Sequence, residues 1–112
     1  MPPARSQAEA ARSQAELARR AHVAGLFHRS ASELGDQRRS VRLAAIYTLG
    51  YIAKNYRDLS WPVIEVLALH FRESREAYGN QEPPIELQEI VNILKSDLKA
   101  KEAKNVGESK GA

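Results

Sequence analysis

Cysteine is absent from this sequence. Its absence excludes a disulfide framework and any thiolate-ligated zinc site, and it matches a reducing cytoplasm, which is the expected location. Aromatic residues make up 6% of the chain, and no stretch shows a strand-rich pattern. Long apolar runs are lacking as well. Nothing approaches the roughly 18 apolar residues of a membrane span, and MPPARSQAEAARSQAELARR has no apolar stretch of signal-peptide length. No membrane span is expected in this chain. Charge of one sign is not in large excess either: 17 Lys and Arg stand against 14 Asp and Glu, a net charge of +3. Its distribution is uneven, since residues 35–60 sum to +3 and residues 80–98 to −3. Such a dipole suits head-to-tail contact or an acidic partner, and it equally suits a plain solvated surface.

What is present is helical. With 112 residues and 43% hydrophobic content, one small domain is expected, and the low aromatic share suits helices packed through Ala, Leu, Ile and Val. The heptad ARSQAEA is followed at once by ARSQAEL, so Ala4, Ala8, Ala11, Ala15 and Ala18 recur at steps of four and three. That is coiled-coil spacing, but an alanine seam of two heptads buries little area, and a solvent-exposed helical extension over residues 1–20 is the other reading. From Leu17 a stripe of Ala21, Ala24, Phe27, Ala31 and Leu34 ends at Gly35, which predicts a first core helix over about 8–34.

The stretch GDQRRSVRLAAIYTLGYIA organises the rest. Asp36 or Ser40 is placed to cap the next helix, whose apolar stripe is Val41, Ala44, Ala45, Thr48, Leu49 and Ile52, ending near Asn55. Ser60-Trp61-Pro62 reads as a third helix start, with Ser60 as cap and Pro62 in the first turn, and Gly79 as its stop. Pro84 opens a fourth helix with Leu87, Ile90, Val91 and Leu94 on one stripe, and the polar residues 99–112 read as a disordered charged tail. The expected fold class is all-α, with a helical domain over residues 21–98 made of two antiparallel helical hairpins behind a long N-terminal helix.

Asp36 followed by Val41-Arg42, with Ala45, Leu49, Ile52 and Ala53 beyond, resembles the second helix of a HEAT repeat. The run VRLAAIYTLGYIAKNYRDLSWPVIEVLALHFRES, continued by PPIELQEIVNIL, is similar to the helical segment of bacterial pentapeptide-repeat proteins. The resemblance covers roughly residues 24–95. It includes neither that family's membrane helices nor, after Leu98, an Ala-Asp-Leu pentapeptide array, so it implies the HEAT-like helical module alone. It carries over no catalytic or binding residue.

Chemistry is thin. His22 and His28 are six apart and fall on different sides of a helix, unlike the i, i+4 pair of a helical metal site, and His70 beside Phe71 reads as a core-edge side chain. No nucleophile elbow, glycine-rich phosphate loop or carboxylate pair stands out, so no enzyme activity, metal or cofactor is expected. Tyr47, Tyr51, Tyr56 and Trp61 read as the edge of a core. Arg38, Arg39 and Arg42 cluster at a helix start, with Lys54 and Arg57 further on. They form either an anion or partner-binding site or a set of side chains spent on Asp36 or a neighbouring carboxylate and on water. The structural residues are Asp36, Val41, Leu49 and Ile52. The function expected is a non-catalytic protein–protein interaction or scaffold module, self-associating or docking to a partner. The alternative is a small basic nucleic-acid-binding protein that uses the arginine cluster; phosphate binding of useful strength takes about six contacts or more.

Overall fold

The computed structural model describes residues 4–79, 81 and 84–111, and the side chains of residues 6–79, 81 and 84–103. Among them are four α-helices and no strand: α1 (Ala4–Glu33), α2 (Arg39–Asn55), α3 (Ser60–Tyr78) and α4 (Ile85–Gly111), with a single 3₁₀ turn, Arg57–Leu59, between α2 and α3. The all-α class is as the periodicity predicts.

Each boundary has a local cause. α1 runs out in a turn, where the Gly35 N–H donates to the Ser32 carbonyl at 3.2 Å and that of Asp36 to Glu33 at 3.1 Å. α2 begins after Arg38, whose backbone is extended and whose side chain makes no capping bond. Neither Asp36 nor Ser40 caps it. The Asp36 carboxylate instead accepts from the Arg38 N–H at 2.8 Å, closing a turn two residues long that leads into the helix. Ser60 is likewise not a cap: it lies inside α3, and Leu59 is the N-cap. α3 stops at Gly79, whose φ of 60° lies in the left-handed region, with its N–H bonded to the Arg75 carbonyl at 3.0 Å. Pro84 launches α4 by accepting from the Leu87 N–H at 3.0 Å. Residues 99–111, predicted to be a disordered tail, continue α4 as helix. Ala, Lys and Glu in this stretch favour helix by intrinsic propensity.

α2 is the centre, packed against α1, α3 and α4, while α3 also packs on α4. Ile46, Leu49 and Ile52 of α2, Val63 and Leu67 of α3 and Ile90 of α4 are wholly shielded from solvent. With helices on several sides, the buried surface of α2 is broader than one stripe and rotated from the predicted one. Ile46 and Ala53 are buried, Ala44 is exposed, and Val41 and Thr48 are half-buried. Tyr47 and Tyr51, expected at the core edge, point outward at 54% and 59% exposure, and Trp61 is exposed too. Of the predicted aromatic edge, Tyr56 packs against the core.

The length mismatch between α1 and α2 shapes the molecule. α1 has 30 residues and α2 17, about 45 Å against 26 Å at 1.5 Å per residue, so α2 covers only part of α1. Burial on α1 therefore starts at Val23. Leu17 is 67% exposed, and Ala21 is exposed as well, so the predicted stripe fails at its first two positions. The result is a plate of 68 × 42 × 16 Å with a radius of gyration of 18.5 Å, against about 13 Å for a compact chain of this length. Leu49→Ala should lower the unfolding free energy by about 2–5 kcal/mol in chemical denaturation, because a large side chain is removed from the shielded centre of α2. A loss below about 0.5 kcal/mol would show that α2 does not centre the core.

Candidate functional site

The structure divides the predicted basic cluster. Arg38 is exposed and ion-paired with Asp36, its Nε at 3.1 Å from Oδ1. Hydrogen bonds from the Arg38 side chain and backbone hold the Asp36 carboxyl below its ordinary value. Arg42 turns inward. Its Nε donates to Glu86 Oε2 at 2.7 Å and its Nη2 to Oε1 at 3.1 Å, while Nη1 donates to the carbonyls of Asp36 at 2.9 Å and Gln37 at 2.8 Å. Four of the five guanidinium N–H groups are thus answered by a fork on α4 and by the loop before α2. Arg42 serves the backbone of Asp36, and the carboxylate of Asp36 serves Arg38.

Arg57 stands at the other end of α2, where its Nη1 lies 3.4 Å from Asp97 Oδ1. Asp97 is buried, and it also accepts from the Ser60 hydroxyl at 2.9 Å and pairs with Lys101 Nζ at 3.1 Å. Ser60, predicted as a helix cap, therefore joins α3 to α4. Burial pushes the Asp97 carboxyl up, but hydrogen bonds from Lys101 and Ser60 and the charges of Lys101 and Arg57 outweigh it, leaving a net lowered value. Lys101 also sits 5.3 Å above the Trp61 ring. Arg39 and Lys54 make no side-chain hydrogen bond or ion pair among the described residues.

Sequence reasoning missed the two buried carboxylates, Glu86 and Asp97. The signal was their register: Glu86, Ile90, Ile93 and Asp97 follow at steps of four, three and four, so both acids share the inward line of α4 with isoleucines. Glu86 meets Arg42 near the start of α2 and Asp97 meets Arg57 just past its end, so α4 runs parallel to α2. Between them the backbone of Gly50 lets Ile93 close in; a Cβ there would lie 2.9 Å from Ile93 Cδ1.

The histidines do not converge. His22 and His28 are exposed, the latter edge-on to Phe27, while burial pushes the half-buried His70 imidazole down. Among the described residues, no group of three or more His, Asp or Glu is placed to hold a metal ion, and no helix is long and apolar enough to cross a membrane. Shallow grooves lie between helices. One of about 300 Å³ separates α2 from α4, and one of about 430 Å³ lies between α1 and the end of α2. Protein-family models, curated proteins and solved structures offer no match to this chain.

Glu86→Ala should destabilise the protein by about 3 kcal/mol, because it strands the Arg42 guanidinium in a site only 19% exposed. A double-mutant cycle with Arg42→Ala should show strong coupling in denaturant titrations, and additive losses would refute the partnership. Acid should find the second carboxylate. Asp97, with its folded value lowered, contributes stability that is fully present above the ordinary 3.8 and is lost as the pH falls through the lowered value. Melting curves across that range should therefore fall less steeply with acid for Asp97→Asn than for the native chain.

Proposed function

We propose that this chain is a non-catalytic α-helical interaction module of the cytoplasm, which associates with a second copy of itself or docks on a protein partner. The observation that carries this reading is the bare half of α1: every side chain from Ser6 through His22 is exposed. A helix of that length with nothing packed on it is marginal in water, and most helical stability comes from a covered face. Ala8, Ala11, Ala15 and Ala18 line one side of it at seam spacing, and Leu17 stands beside them 67% exposed.

The HEAT-like reading belongs to the same proposal. It is supported by the parallel course of α2 and α4, since equivalent helices of stacked hairpins run the same way, and by a plate only 16 Å thick. Stacks of helical hairpins generally need about three repeats to bury a continuous core, so a two-hairpin stack has ends in need of cover. The internal engagement of Arg38 and Arg42 weighs against a nucleic-acid site at this cluster, because among the described residues it leaves Arg39 as the one arginine there with no internal ion pair.

Light scattering tests the proposal. The mass in solution should exceed that of one 12.5 kDa chain or rise with concentration, and deletion of residues 1–20 should lower it. A strict monomer that binds a mixed-sequence duplex in a salt-sensitive way, lost on Arg38→Glu with Arg39→Glu, would replace this reading with the nucleic-acid one.

A further inference from the structure

The α2–α4 groove combines two features. Its floor is apolar, formed by Gly50, Ala53, Ile93 and Ala100, and its rim carries Lys54 and Arg57. The one acid among its lining residues, Asp97, is buried and already answered by Ser60, Arg57 and Lys101, so the exposed charge of the lining, on Lys54 and Arg57, is positive. Tyr47 and Tyr51 extend the surface along α2. They lie seven and three residues before Lys54, on its side of the helix, and both are more than half exposed. Exposed tyrosines of this kind are typical anchors of protein interfaces.

We propose that this groove is a docking site for an acidic amphipathic helix of a protein partner. Two packed helices leave a channel whose shape accepts a third, with an apolar stripe set on the floor and carboxylates set against the rim. A phosphate backbone answers the cations but brings no apolar face for Gly50, Ile93 and Ala100. The bare half of α1 from a second copy is also a poor occupant, since Arg12, Arg19 and Arg20 outnumber Glu9 and Glu16 there and share the sign of the rim. The inference rests on the reading of this chain as an interaction module, and it adds a site separate from α1 together with the chemistry of what fills it.

Fluorescence anisotropy of the full chain with two labelled peptides of about 18 residues tests it, each with leucines at steps of three and four. One carries glutamates on both flanks of the stripe, and the other carries lysines at the same positions. The acidic peptide should bind and the lysine peptide should not. Lys54→Glu and Ser96→Glu, both at exposed positions lining the groove, should each weaken binding about tenfold while circular dichroism shows an unchanged fold. Equal binding of the two peptides, undiminished binding to the variants, or binding of a mixed-sequence DNA duplex with no binding of the acidic peptide would each overturn the proposal. Light scattering on the same samples separates the two readings. A monomer that binds the acidic peptide supports the groove and removes self-association, whereas an oligomer that ignores the peptide overturns the groove alone.

Discussion

The burial of α2 is the constraint from which the other contacts follow. Ile46, Leu49 and Ile52 lie on a helix touched by each of the other three, so shielding them from water places α1, α3 and α4 together. On the α4 side Ile93 fills the space that a Cβ at Gly50 would take, with its terminal Cδ1 2.9 Å from that position.

Charge then sets the register of α4. Apolar contact is nondirectional, and a one-turn slip along α2 would still bury isoleucine. Arg42 with Glu86 at one end, and Arg57 with Asp97 at the other, give that slip a penalty, because a stranded buried carboxylate is far more costly than a lost van der Waals contact. Every buried polar side-chain atom among the described residues has a partner. Three of the five candidate cations, Arg38, Arg42 and Arg57, are thereby engaged within the chain. Two surfaces stay exposed beside these contacts, the first half of α1 and the α2–α4 groove with Lys54 on its rim, and they differ in character: one is a seam of small residues, the other a channel with aromatic neighbours.

By itself the sequence determined the helical class, the breaks between helices and the central place of the second one. These are local or one-dimensional properties: spacing at three and four, a glycine at residue 79 that alone tolerates the left-handed conformation, and prolines that open helices. Leu49 and Ile52 were legible as core for the same reason. Tertiary structure decided the rest. Whether Leu17 and Tyr47 meet water depends on how far a neighbouring helix extends, and Leu17 lies beyond the reach of α2. The partner of Arg42 is 44 residues away, and no rule of local spacing pairs them. Ser60 follows the rule for a helix cap and instead bonds a carboxylate 37 residues on, since the adjoining 3₁₀ turn moved the helix start and brought its hydroxyl inside the fold. Periodicity names the face a helix must hide, while helix length and the geometry of the neighbours decide how much of it is hidden, and which charges meet there.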